Sequence, residues 1–413
     1  LGAQGDHLIA SGLPLADVKV LDFFWVLAGP GITRSMADYG ATVVRVEATT
    51  RTDPVRTVGP FLNNKIAQET SALWWNNNAG KYGITLDMTK PEARAVVHDL
   101  VRWADVVTES FSPKAMKAWD LDYEALRKIK PDIIMISSCL MGQSGPLARF
   151  AGFGNLAAAL VGFYNLVGWP DRRPSGPFSA YTDYIAPRFG LAALMAALIH
   201  RKHTAEGQYI DQAQAESALQ MLALPIVDNA ANGRAYDPIG NRDRYHAPHG
   251  VYPAAGDDRW IAIACRTEAQ WQALCVAMKQ PDLATNPLFA RSTDRQKNHG
   301  TLDQKINEWS RQFDALALER QLQGVGVAAH VVENTFDMTA DPQLAHRRHF
   351  VEVPHGTLQK TWVENSRYKL SRTPARVERS APALGEHNQY VVEKILGYTE
   401  EQVTELVTQG ALS

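Results

Sequence analysis

Apolar residues fall in short runs separated by stretches with helical spacing. Val18-Lys19-Val20-Leu21-Asp22-Phe23-Phe24 is a β-branched and aromatic run that predicts a buried strand. Ala28-Gly29-Pro30-Gly31 interrupts it, and residues 32–39 follow with the spacing of a helix closed by Gly40. Thr42 to Glu47 predicts a second strand, completing a βαβ unit, the opening of a doubly wound parallel sheet. Further strands are expected at 83–87, 105–109 and 133–137, with helices starting at Pro91 and Tyr123 between them. Residues 151–168 are rich in Gly and Ala, which permits close backbone approach. A Pro/Gly/Ser stretch, 170–179, then precedes an apolar helix from about Arg188 to His200 and a longer helix around 212–232.

The pattern changes near Arg234, where a polar segment with several Arg and His runs to Pro248. Gly250-Val251-Tyr252 and Trp260 to Ala264, separated by Gly256-Asp257-Asp258, predict a hairpin. Helical spacing continues to about Gln323, a return strand is expected over 325–334, and the last 25 residues suggest an amphipathic helix pair. A chain of 413 residues is long enough for two domains. The expected organisation is a large α/β domain of two segments, 13–234 and 326–413, with a small α+β domain, 235–325, inserted. The first dozen residues read as a leader and carry no argument.

Composition narrows the classes. Apolar residues are 45% and charged residues 21%, ordinary for a soluble globular protein. A net charge of −2 without a basic cluster gives no nucleic-acid footprint. The three cysteines are far apart, and no CxxC or Cys/His cluster appears, so neither a disulfide framework nor a metal site is expected. That usage fits a reducing cytoplasm. The longest apolar run, Phe189 to Ile199, has eleven residues, whereas a bilayer needs roughly 20, so no membrane span is expected.

Several motifs occur in a fixed order. Val20-Leu21-Asp22-Phe23 leads to Ala28-Gly29-Pro30, then to Gly40-Ala41-Thr42-Val43-Val44-Arg45-Val46-Glu47. Leu86-Asp87-Met88 precedes Pro91-Glu92, and residues 104–113 read ADVVTESFSP. Ala197-Leu198-Ile199-His200-Arg201 pairs with Gly207-Gln208-Tyr209-Ile210-Asp211, and Leu384-Gly385-Glu386-His387 stands near the end. With these motifs the chain resembles, over about 18–390, the class III CoA-transferase family, which includes formyl-CoA transferases, carnitine CoA-transferases and α-methylacyl-CoA racemases. The resemblance implies a Rossmann-like large domain with a smaller inserted one, and an interlocked homodimer or a heteromer with a paralogue. It implies transfer of coenzyme A from an acyl-CoA donor to a carboxylic acid acceptor, with CoA as a substrate and no permanently bound cofactor. Residues 181–188 and the APHGVY stretch look most like transferases acting with succinyl-CoA and benzylsuccinate-type acids.

In this register Asp183 falls at the family's nucleophile. From the residues alone, Asp183 stands at or just before a helix start, where free N–H groups and the helix dipole favour an anion. Capping is the commoner role for such an aspartate. The resemblance places Trp25, Val26, Leu27 and Ala28 on the loop lining the CoA site, Ser110 and Phe111 on a second lining turn, and Leu86 near the adenine end. By themselves Val26 and Leu86 read equally as core, and Asp22 reads as a support for the loop. Two basic family positions are Ala48 and Ala118 here, which shifts the phosphate contacts to Arg45, Arg51, Lys81 or Lys114, each otherwise a solvated surface charge. In place of the family's glycine lid stands the Arg- and His-rich loop 240–250. Arg242 and His249 on it are candidates for holding an acceptor carboxylate, since a guanidinium fork matches a carboxylate. The plain alternative is an exposed polar loop.

A racemase of the same fold needs a proton-shuttling pair, and the racemases carry a His where this chain has Phe153, a substrate-side candidate that cannot transfer a proton. A nicotinamide dehydrogenase would need GxGxxG after the first strand, and Ala28-Gly29-Pro30-Gly31 is not that.

Overall fold

The computed structural model describes residues 12–412; the leader reading at the first residues falls outside them, apart from Gly12. The chain divides into two units. The larger holds a six-stranded parallel sheet in the order β3-β2-β1-β4-β5-β6. Its strands are β1 (Lys19–Phe23), β2 (Thr42–Glu47), β3 (Tyr82–Thr85), β4 (Val106–Glu109), β5 (Ile134–Cys139) and β6 (Tyr209–Ala213).

Alternation along the strands explains why both faces are covered. Val20 on β1, Val43, Val106 and Ile134 point to one face, where Ile32 and Met36 of the helix Ala28–Asp38 and Leu194 and Ala197 of the helix Tyr181–Thr204 pack. Leu21 and Phe23, with Val44, Val107 and Met135, point to the other, against Val96, Val97 and Leu100 of the helix Pro91–Trp103. Two-sided burial is what a central parallel strand requires, and it makes β1 after its exposed Lys19 an apolar run broken by Asp22.

Two sequence expectations shift. β6 is an edge strand with little apolar signal, and residues 212–213, expected to open a helix, belong to it. The helix expected from about 188 begins at Tyr181 and has 24 residues. It includes Pro187, whose missing N–H leaves the Asp183 carbonyl without its helical donor. This helix alone among the described residues is long and apolar enough to cross a membrane by length and composition. Here it packs against the sheet and the helix Ala28–Asp38.

The smaller unit comprises residues 164–175 and 236–342. Its antiparallel sheet is β7 (His249–Pro253), β8 (Trp260–Ala264) and β9 (Ala328–Val331), in that order. The expected hairpin is β7–β8. The expected return strand is β9, but it pairs with β8 rather than rejoining the large unit, so the boundary lies near 342 instead of 325. Segment 164–175 also belongs here, because the Gly240 N–H donates to the Gly168 carbonyl (2.8 Å). The chain then returns to the larger unit as the hairpin β10 (Phe350–His355) and β11 (Gln359–Glu364), a π-helical turn Tyr390–Ile395 and the helix Glu400–Thr408.

Candidate functional site

In an open parallel sheet, ligands bind beyond the carboxyl ends of the strands where the strand order reverses. In this sheet that point lies between β1 and β4. The loop leaving β1, Trp25 to Gly29, and the turn leaving β4, Ser110 to Ser112, line a cavity of about 250 Å³ there. The end of β5 (Ser138 to Leu140), residues 148–153, Asp183 and Gln214 complete the wall. Asp183, Trp25, Val26, Leu27, Ala28, Ser110, Phe111 and Phe153 are therefore brought together around one cavity.

Leu86 is not among them. It is fully buried beside Ile84 and Ala93 and bridges to Leu412, so its side chain packs the core. Arg242 and His249 lie in the smaller unit, on a separate cavity of about 260 Å³ with His246, His299 and Asp303. There Arg242 contacts His299 (3.1 Å), and His249 Nδ1 bonds the Asn241 carbonyl (2.7 Å).

Asp183 sits in the first turn of its helix, where the N-cap is Ala180 and no side chain caps the end. It is not a cap. Its carboxylate accepts from the Gln214 amide and from the Gly154 backbone N–H, and its residue is only 6% exposed. Gln214 Nε2 also donates to Thr182 Oγ1 (2.9 Å), whose hydroxyl donates to the Gly154 carbonyl (2.9 Å), tying three segments together. A β-carbon on Gly154 would lie 2.5 Å from Asp183 Oδ1, so glycine is what lets the helix Gly154–Leu160 approach. Burial pushes the Asp183 carboxyl up to about 6, and the two donors offset only part of that. Near neutral pH it is ionised but poorly solvated. Sequence reading missed Gln214, because no local pattern links it to a residue 31 positions earlier.

The β1 loop is held by buried charge. Asp22 accepts from the Phe24 N–H (3.1 Å), Thr33 (2.9 Å), Thr108 (2.8 Å) and Lys81 (3.0 Å). Asp53 accepts from the Val26 N–H (3.0 Å to Oδ2) and pairs with Arg45. Val26 has φ 67°, a left-handed conformation that a β-branched residue avoids unless its surroundings impose it. Trp25 N–H donates to Ser110 Oγ (2.9 Å), and its ring meets Phe111 edge-on (5.5 Å). Arg45 and Lys81, candidates for CoA phosphates, are instead fully buried and consumed by these pairs. Arg51 and Lys114 are exposed, and Arg51 lies over the Trp25 ring (5.6 Å).

Behind the Ser110–Phe111 turn, Glu109 accepts from the Phe111 N–H (2.6 Å) and from Gln143 Nε2 (2.9 Å). Burial, offset in part by Ser137 and that N–H and reinforced by Asp211, pushes its carboxyl from 4.5 up to about 7. The folded chain thus holds this proton more tightly than the unfolded chain. The stability it contributes is complete below about 4.5 and is lost as pH rises through about 7. Glu109→Gln is expected to add about 1–3 kcal/mol at pH 8 and little at pH 4.5. Urea melts of both proteins at the two pH values check this; an equal effect at both would show that Glu109 does not carry the slope.

Among the described residues no group of three or more His, Cys, Asp or Glu is placed to hold a metal. The profile of the family described as CoA-transferase family III matches residues 15–388. The succinyl-CoA–D-citramalate CoA-transferase of Chloroflexus aurantiacus is 33% identical over 95% of this chain and 96% of its own. The beta subunit of the succinyl-CoA–L-malate CoA-transferase of the same organism is 29% identical over 95% of this chain and 97% of its own. Among solved structures, a CAIB/BAIF family protein of Brucella suis superposes with a TM-score of 0.86 at 30% identity, covering 93% of this chain and 100% of its own.

Proposed function

The chain belongs to CoA-transferase family III, and from that premise we propose that it moves CoA from an acyl-CoA to a free carboxylic acid through covalent intermediates on Asp183. The observation that carries this reading is an ionisable carboxylate, poorly solvated and held by Gln214 and Gly154, in the cavity at the carboxyl ends of β1 and β4.

The Asp183 carboxylate attacks the thioester carbonyl of the donor, forming a mixed anhydride and expelling CoA thiolate. The thiolate attacks the Asp183 carbonyl of the anhydride, giving an aspartyl-CoA thioester and freeing the donor acid. The acceptor carboxylate attacks that thioester, forming a second anhydride and again expelling thiolate. Thiolate then attacks the acceptor's carbonyl, releasing the new acyl-CoA and restoring the Asp183 carboxylate. Attack at the Asp183 carbonyl places negative charge on its oxygen, and the Gln214 amide and Gly154 N–H are donors already aimed there. Each step exchanges one activated acyl group for another, so no proton need leave a carbon. Phe153, 61% exposed at the cavity wall, offers no proton shuttle for racemisation.

The names of the two Chloroflexus relatives pair succinyl-CoA with dicarboxylic acids, which supports a short dicarboxylate as donor or acceptor. Oligomerisation is supported by apolar side chains left open on the larger unit, among them Leu224 (71% exposed) and Val227 (62%). A homodimer is the simpler state. The subunit name of one relative favours a paralogous partner as the alternative, and activity of the purified chain alone separates the two.

Incubation with succinyl-CoA and hydroxylamine is expected to leave a hydroxamate on Asp183, seen by peptide mass spectrometry. An unmodified Asp183 under turnover conditions would overturn the covalent reading.

A further inference from the structure

The residues lining the Asp183 cavity include two charged side chains, Asp183 itself and Arg149. Arg149 is exposed on the segment between β5 and the helix Gly154–Leu160. Among the described residues no hydrogen bond or ion pair engages its guanidinium, whereas Arg34, Arg45, Arg56 and Arg201 of the same unit are each paired with a carboxylate. On the same wall Ser138 is 5% exposed, and its hydroxyl has no partner among the described residues. A buried polar group without a partner calls for a ligand or a water. The rest of the wall is largely apolar, with Trp25, Phe111, Leu140, Phe150 and Phe153. Such a wall suits a short carbon chain carrying one negative group.

We propose that Arg149 holds the distal carboxylate of a short dicarboxylic acyl group while its proximal carboxyl carbon reacts at Asp183, so that the enzyme selects dicarboxylic over monocarboxylic acids. The proposal rests on Asp183 being the acylated residue. The other anion available is a phosphate of CoA. The pantetheine arm separates the thioester from those phosphates by two amide units, an extended reach on the order of 10–15 Å. Arg149 and Asp183 line the same cavity, which favours the acyl end over phosphates held at that reach. A guanidinium and a carboxylate form paired charge-assisted hydrogen bonds, and a terminal methyl offers the guanidinium nothing.

The test uses the full chain and Arg149→Met, with folding checked by thermal melting. Donors are compared at equal chain length: succinyl-CoA against butyryl-CoA, and glutaryl-CoA against valeryl-CoA. The wild type is expected to favour the dicarboxylic member. Arg149→Met is expected to lower its kcat/KM by about 10–100-fold and leave the monocarboxylic member within about 3-fold. Arg149→Lys should recover part of the loss. Line broadening of free succinate and butyrate in NMR, on the same two proteins, gives the comparison without turnover. An equal loss in both members would assign Arg149 to CoA and overturn the proposal. So would no loss in either, or a wild type that discriminates in neither assay. Failure of the Asp183 reading is separate: it appears as succinyl-CoA turnover without a hydroxamate on Asp183, whatever Arg149→Met does to the ratio.

Discussion

Asp183→Asn is expected to remove CoA transfer, by at least about 10⁴-fold in kcat, while making the fold more stable at neutral pH. Amide nitrogen and oxygen lack the carboxylate's charge and cannot form the anhydride, so every covalent step is lost rather than slowed. The shape is nearly unchanged, and the asparagine oxygen still accepts from Gln214 and the Gly154 N–H. Stability moves the other way because the native carboxyl is pushed from 3.8 up to about 6, chiefly by burial. Its folded state binds the proton more tightly, so this contribution is complete below about 3.8 and lost as pH rises through about 6. Above that, the wild type carries a poorly solvated anion that the variant does not. The gain is about 1–3 kcal/mol at pH 7.5 and close to none at pH 4, measured by denaturant melts. With Asp183 as the proposed nucleophile, kcat/KM of the wild type is expected to rise as pH increases through about 6 and then level, as its carboxyl ionises. Activity retained by the variant, or a loss of stability at pH 7.5, would contradict this account.

Gly154→Ala is expected to cost about 100-fold or more in kcat although residue 154 has no side chain to react and its N–H is kept. The added methyl would stand 2.5 Å from Asp183 Oδ1 and 2.8 Å from both its Cγ and Thr182 Oγ1. Two packed helices and the Gln214 tether leave little room, so the carboxylate must turn or the helix Gly154–Leu160 must retreat. A displacement of about 1 Å at a reacting group can cost about 100-fold. The strain also costs about 1–3 kcal/mol of stability. Steady-state rates, circular dichroism and the yield of the Asp183 hydroxamate check this together. A variant that folds and turns over within about 3-fold of wild type would show that the close approach of residue 154 does not position the carboxylate.

Much of the large unit was legible because its signals are local. β1 to β5 were expected within one or two residues, since strands covered on both faces read as short apolar runs. β6 was not, because Tyr209-Ile210-Asp211-Gln212-Ala213 is an edge strand with polar residues that read as a helix start. The division between the units was misplaced at 325, because β9 has the same composition whichever sheet it joins. Only its pairing with β8 decided the matter.

The site divides in the same way. The order of the motifs, the βαβ opening and the presence of Asp183 ahead of an apolar helix were determined by the sequence, because each depends on neighbours along the chain. Tertiary structure decided what those residues touch. Arg45 and Lys81 look like surface cations in sequence, yet folding buries them on Asp53 and Asp22, where they hold the Val26 loop instead of meeting phosphate. Leu86, a lining candidate in sequence, is core. Gln214 and Gly154 reach Asp183 from 31 and 29 residues away, and Arg149 faces the same cavity from 34 away. Charge, burial and hydrogen bonding are properties of distance in space. Sequence position constrains that distance within one helix or strand, and beyond it only the packing of the sheet and its helices sets it.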